Sequence, residues 1–249
     1  MNSTEESTIL TRGKLPPQVT RSLTMIGVLA AFVCALAFAT SLPRASGRSG
    51  AAKVLLPNPG IDEPLAGKSG GETMVVAGGC FWGVQAVFAS VRGVVSSTSG
   101  YAGGTRQTAD YETVSTGRTG HAESVRVVFD PSKISYGQLL KIFFSVAHDP
   151  TQLNQQGPDV GTQYRSAIFY ADAMQQKIAK AYITQLDAAK VFHGRIVTDV
   201  TALTKFYDAE GYHQDYFFNH PLQPYILIND KPKVEALKQQ FPEVFVEHR

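Results

Sequence analysis

Cysteine is nearly absent from this 249-residue chain. There are two, Cys34 and Cys80. Cys34 lies in an apolar run and Cys80 in a glycine-flanked stretch, so no disulfide framework is implied. With no Cys-x-x-Cys, the common zinc patterns are missing too, and no metal site is expected. Net charge is also small: 23 Lys and Arg against 21 Asp and Glu leave +2. No basic stripe with interleaved aromatics marks a nucleic-acid surface, so no nucleic-acid partner is expected. There is no internal repeat and no low-complexity tract. Tryptophan occurs once, at Trp82, two positions after Cys80.

Long hydrophobic runs are scarce as well, and the one present is informative. Leu23 to Ala39, "LTMIGVLAAFVCALAFA", carries no charge, and Arg12, Lys14 and Arg21 precede it. "AFA" at its end has the small residues of a cleavage site. The run is long for a signal-peptide core and short of the ~20 residues that span a bilayer. A helix apolar all round would need a core around it, and the adjoining Gly-, Pro- and Ser-rich stretch offers none. Residues 1–40 are therefore expected to be a signal peptide or a membrane anchor through 23–39. Either reading exports the remainder of the chain and implies an extracytoplasmic location. Arg44, Arg48 and Lys53 beyond the run leave the orientation unfixed. Residues 41–71, with "PNPG", "EP" and "KSGG", read as a flexible linker, and residues 72–249 as the folded domain. The composition, 43% apolar, supplies an ordinary core.

Regular patterning begins at "TMVVAG" (Thr73–Gly78), a short strand. "FWGVQAVFASV" comes next, with Phe81, Val84, Val87, Phe88 and Val91 at helical spacing. Gly93–Tyr101 reads as a second strand and "SVRVVFD" as a third, with Val125, Val127 and Phe129 inward. Ser135–His148 reads as a helix capped by Ser135, and Arg165–Tyr170 as a fourth strand. The order β-α-β-β-α-β is the split βαβ arrangement. It implies an α+β two-layer sandwich, with an antiparallel-containing sheet and helices on one face. Beyond it lie a long helix (Ala171–Lys190), a strand (Arg195–Val200), an aromatic-rich segment "FYDAEGYHQDYFFNHP" and a short helix near Lys233–Gln240.

Cys80 falls where the first strand turns into the first helix. Glycines permit the sharp turn, and turn-borne residues carry function disproportionately. Free N–H groups and the positive dipole end at a helix start favour a thiolate. The thiol is therefore expected below its ordinary ~8.5. Phe81 fits the helix stripe and so also reads as core. Trp82 falls off it, and an exposed Trp beside a nucleophile makes a wall of an apolar pocket. Glu123 borders an apolar strand, where burial would raise its pKa and make it a proton donor near neutrality; a solvated strand-edge carboxylate is the plainer reading. Tyr111, Asp159 and Tyr164 also precede or border strands, and the two tyrosines read equally well as half-buried core residues.

"GGCFWG", "TGHAE" and "GTQYRS", in this order, resemble the class A peptide methionine sulfoxide reductases, as do "SGYAGG", "HDP" and "YHQDY". The resemblance runs from about Met74 to Pro224 and implies a ferredoxin-like α/β sandwich. It assigns Cys80 as nucleophile at the sulfoxide sulfur and Glu123 as proton donor to the sulfoxide oxygen. Tyr111 and Tyr164 would hydrogen-bond that oxygen. Phe81 and Trp82 would enclose the terminal methyl, and Asp159 would support the site. The substrate would be methionine S-sulfoxide, free or in proteins. Cys80 would become a sulfenic acid, the first rung of thiol oxidation. No cofactor is needed, because a soft nucleophile and an acid together suffice. A monomer is expected.

One departure concerns regeneration. Many relatives resemble one another in a resolving cysteine within or after a "PYC"-like segment. Here the stretch reads "QPYILINDKPK", and no cysteine follows Cys80. The reductant is then external, a thioredoxin-like protein or a small thiol. Two other functions stay open at this point. A cysteine hydrolase or acyltransferase would need a histidine beside Cys80. A non-catalytic module binding oxidised methionine would need the aromatics and not the thiol.

Overall fold

A computed structural model describes residues 55–248. The apolar run, its flanking basic residues and the first part of the expected linker lie outside the described residues.

The central sheet is built from β1 (Glu72–Gly78), β2 (Val94–Ala102), β3 (Ala122–Phe129), β6 (Ser166–Tyr170), β7 (Asp199–Ala202) and β8 (Phe206–Asp208), in the order β7-β6-β1-β3-β2-β8. A separate two-stranded hairpin pairs β4 (Gln155–Gln156) with β5 (Asp159–Val160). The inner four strands, β6-β1-β3-β2, carry the split βαβ order expected from sequence. Their contacts are antiparallel, and only β6 with β7 is parallel.

Period-two alternation sorts the strand residues onto two faces. Met74 and Val76 of β1, Val125, Val127 and Phe129 of β3, and Ile168 of β6 join the main core. Val75, Ala77, Ala102, Ala122, Ala167 and Phe169 form a thin second cluster, covered by Leu203 and Phe206. The helices contribute to the main core: α1 (Phe81–Ala89), α3 (Tyr136–Ile142), α4 (Ala173–Ala188) and α6 (Lys231–Gln240). Ser135 caps α3 with a full capping box, its Oγ accepting from Gln138 N while Gln138 Oε1 accepts from Ser135 N.

Three segments differ from the sequence reading. The helix expected to reach His148 widens into an i→i+5 turn over Phe143–Ala147, a feature frequent at functional sites. The strand expected at Arg195–Val200 begins only at Asp199. The backbone before it is committed elsewhere: Ile196 N–H donates to Asp187 Oδ1 at 3.1 Å and Val197 N–H to Pro150 O at 2.9 Å. The third difference is the second half of the expected linker, which is laid onto the domain. Leu56 is buried, Tyr182 Oη donates to Pro57 O at 2.8 Å, and Ser69 Oγ donates to Asp130 Oδ2 at 2.7 Å. Asp62 accepts from Gly137 N and Ser135 Oγ at the start of α3. The segment follows a path set by these bonds, two of them to the buried Tyr182 and Asp130 side chains.

Candidate active site

Gly79 (φ +88°) turns the chain out of β1, a conformation that a side chain resists. Cys80 follows as the residue before the first turn of α1, and it is buried. β3 runs antiparallel to both β1 and β2, and the Cα of Glu123 pairs with Tyr101. Glu123 is 3% exposed, and its Oε2 accepts from Phe81 N–H at 3.1 Å. One free amide of the helix start is thus spent on the carboxyl group.

Burial dominates the chemistry of Glu123. Desolvation pushes its pKa up from 4.5 to about 8, helped by the negative charges of Asp159 and Asp230 and opposed by the Phe81 amide. The group is a carboxylic acid at neutral pH. The solvated strand-edge reading does not hold, because the side chain faces the interior.

Cys80 corrects the expectation for the thiol. Its pKa lies well above the ordinary value, not below it. Desolvation is the main cause, and the carboxyl groups of Glu123 and Asp230 add to it. The Trp82 amide and the Lys233 ammonium act the other way and are outweighed. A helix start favours a thiolate where water also reaches it. Here the sulfur is buried beside two acids.

Around Cys80 lies a cavity of about 280 Å³, lined by Cys80, Phe81, Trp82, Tyr111, Glu123, Asp159, Tyr164, Gln223 and Tyr225. All seven side chains singled out from sequence meet here. Strand β3 delivers Glu123, and four further segments deliver the rest: the β1–α1 turn, the start of α2 (Tyr111–Val114), the β5 hairpin and the turn Thr162–Tyr164. Tyr111 is fixed through its backbone N–H, which donates to Glu210 Oε1 at 2.9 Å. Burial raises the pKa of both Tyr111 and Tyr164, and neighbouring Glu123 raises each further. Both phenols therefore stay protonated and able to donate.

Phe81 is fully buried, so its double reading resolves into both at once, core and pocket wall. Trp82 is half-buried. Its ring stacks on Tyr216 at 3.8 Å and 11°, and meets Tyr225 edge-on at 6.0 Å. Its Nε1–H donates to His213 Nδ1 at 3.1 Å.

Reasoning from the sequence missed Gln223 and Tyr225 as lining residues. Tyr225 Oη donates to Asp159 Oδ2 in a short hydrogen bond. That bond and Lys233 oppose the burial that raises the Asp159 carboxyl group. The signal was weak: "QPYILIND" stood out only for its missing cysteine, and Tyr225 lies 145 positions from Cys80.

None of the histidines lines the cavity. His213 is occupied by the Trp82 indole. His148 contacts Ser166 Oγ at 2.7 Å and Phe143 O at 3.2 Å, and burial lowers its pKa to about 3. His121 contacts Thr105 O at 2.9 Å. The hydrolase reading therefore lacks its base.

Comparison with known proteins agrees with this geometry. The family model "Peptide methionine sulfoxide reductase" matches residues 72–244. The chain is 58% identical over 187 residues to peptide methionine sulfoxide reductase MsrA 2 of Mesorhizobium japonicum, covering 75% of this chain and 95% of that protein. It is 50% identical over 189 residues to the MsrA 2 of Synechocystis, covering 75% and 88%. Among solved structures, methionine sulfoxide reductase A of Corynebacterium diphtheriae aligns with TM-score 0.54 at 38% identity, covering 68% of this chain and 85% of that one. Mxr1 of Saccharomyces cerevisiae in reduced form aligns with TM-score 0.55 at 31% identity, covering 66% and 92%. The matched region contains every residue of the cavity, and the chain belongs to the peptide methionine sulfoxide reductase family.

Proposed function

We propose that the domain reduces methionine S-sulfoxide, free or in proteins, with Cys80 as nucleophile and Glu123 as proton donor. The observation that carries this is a buried acid, protonated at neutral pH, in the same small cavity as the domain's thiol. A sulfoxide oxygen leaves poorly until it is protonated. Glu123 gives it a proton while the Cys80 sulfur attacks the sulfoxide sulfur, and the thiol's proton replaces the one Glu123 gave. Tyr111 and Tyr164 steady the charge on oxygen, as fixed donors do in a site closed to water. Phe81 and Trp82 hold the methyl group. Asp159, bonded to Tyr225, supports that wall.

The balance closes without a cofactor. Sulfoxide and thiol become thioether and sulfenic acid; the sulfoxide sulfur gains two electrons and gives up its oxygen, and Cys80 loses two electrons and takes the oxygen. Cys80 is the free cysteine of the described residues. Two external thiols, from a thioredoxin-like protein or a small-thiol pool, then return it to the thiol and release water. The apolar run Leu23–Ala39 supports an exported, extracytoplasmic domain, cleaved or anchored. The test is turnover with resolved S and R methionine sulfoxide and dithiothreitol. Turnover of S alone supports the reading, and ester hydrolysis in its place would sink it.

A further inference from the structure

A second charged group lies against the first turn of α1. Asp230 is fully buried, and its Oδ1 accepts from Lys233 Nζ at 3.0 Å. The Lys233 side chain is 17% exposed. Asp230 Oδ2 is buried without a hydrogen-bond partner. The two groups fill the space above Gly83: a Cβ there would lie 2.1 Å from Asp230 Oδ1 and 2.9 Å from Lys233 Nζ. Gly83 stands one helical turn from Cys80, so the last residue of "GGCFWG" is small because an ion pair occupies the place of its side chain.

Nothing in the proposed chemistry uses this pair, and its cost is plain. A buried ion pair is weak evidence for stability, since apolar residues of similar size often do as well. This one also leaves an acceptor unsatisfied. Its position relative to Cys80 supplies a reason for keeping it.

We propose that Asp230 and Lys233 are a positioning pair of opposed charges that sets the ionisation of Cys80, Lys233 favouring thiolate and Asp230 favouring thiol. The proposal rests on the reading of Cys80 as nucleophile. Asp230 faces the sulfur with a carboxylate, joined by Glu123 once that acid ionises above about pH 8; Lys233 and the Trp82 amide act the other way. The phenols of Tyr111, Tyr164 and Tyr225 lie within electrostatic reach and stay protonated. Lys233 is therefore the cationic side chain that offsets Asp230.

The pair acts most directly in regeneration. An external thiol attacks the sulfenic sulfur, the S–O bond breaks, and water leaves with the thiol's proton and the sulfenic hydroxyl. A second thiol attacks the external sulfur of the resulting mixed disulfide, the S–S bond breaks, and Cys80 departs as thiolate and takes up the proton the second thiol releases, while the two external sulfurs form the disulfide. A leaving thiol of lower pKa departs faster, and Lys233 supports that departure where no resolving cysteine stands.

The test is alkylation of Cys80 by iodoacetamide against pH, in the full chain in mild detergent, with peptide-resolved mass spectrometry as the readout. Lys233→Met should raise the midpoint by about 1 pH unit and Asp230→Asn should lower it by about as much, the usual scale for one nearby charge. Lys233→Arg should keep the wild-type midpoint. If Asp230→Asn does not fold, the contrast between Met and Arg at position 233 decides alone. Midpoints that stay put, or that move the same way in both charge-removing variants, overturn the proposal. Alkylation does not require sulfoxide turnover. Shifted midpoints in a chain that reduces no sulfoxide would refute the function and leave the pair standing. Normal turnover with unmoved midpoints would refute the pair alone.

Discussion

The backbone amide of Phe81 donates to Glu123 Oε2 at 3.1 Å, tying the acid to the residue next to the thiol. The bond fixes where the proton is offered, and burial decides that it is held. Glu123→Gln keeps an acceptor for the amide but cannot transfer a proton. Its rate should fall by about 10²–10⁴-fold, the usual contribution of a positioned acid, and Cys80→Ser should abolish turnover. Steady-state kinetics with S-sulfoxide measures both.

The same carboxyl group sets a pH limit. Its value of about 8 in the fold stands above 4.5, so the folded chain keeps a proton that the unfolded chain has lost. The associated stability is complete below 4.5, is lost progressively as pH rises to about 8, and levels off above it. Wild-type activity should instead fall above about pH 8, where the folded acid loses its proton. The Gln variant should lose less melting temperature than wild type between pH 4.5 and 8. A wild-type rate that rises steadily to pH 9 would show that the protonated acid is not required.

Trp82 is held by Tyr216, Tyr225 and His213 but stays half-buried. Trp82→Ala should raise KM for S-sulfoxide while costing about 1 kcal/mol, the scale of an aromatic pair. A core Trp would cost about 3–5 kcal/mol. Urea unfolding distinguishes the two.

Gly83→Ala places a methyl group against Asp230 Oδ1 in a buried site. Overpacking of that kind typically costs about 1–3 kcal/mol. A melting temperature equal to wild type would mean that the pair moves aside freely.

Asp62 makes the segment before β1 part of the domain. Asp62→Ala removes the acceptor for Gly137 N and Ser135 Oγ and should cost about 1–2 kcal/mol in chemical denaturation. No loss would return the segment to the status of a linker.

Much of the architecture was legible because its signals are local. Val125, Val127 and Phe129 alternate, Ser135 precedes a capped helix, and glycines flank Cys80. Their partners in the fold obey the same periodicities. What sequence concealed depends on contacts between distant segments. Asp62 reads as a loop acid until α3 is placed against it. The thiol shift runs opposite to the expectation because burial in the fold desolvates the sulfur, with Glu123 and Asp230, 43 and 150 positions away, adding to the effect. Tyr225 reads as a stray aromatic until it meets Asp159. β8 lay hidden in the aromatic segment, since three residues are too few to show a period.

The most direct measurement is a single turnover without reductant, on the full chain carrying Cys34→Ser so that Cys80 is its sole thiol. Mixed with excess methionine S-sulfoxide, it should release about one methionine per chain, the stoichiometry of one thiol climbing one rung. Mass spectrometry should find Cys80 as a sulfenic acid, trappable by a dimedone-type reagent. Release of two methionines per chain, or of one with Cys80 unmodified, would contradict the account.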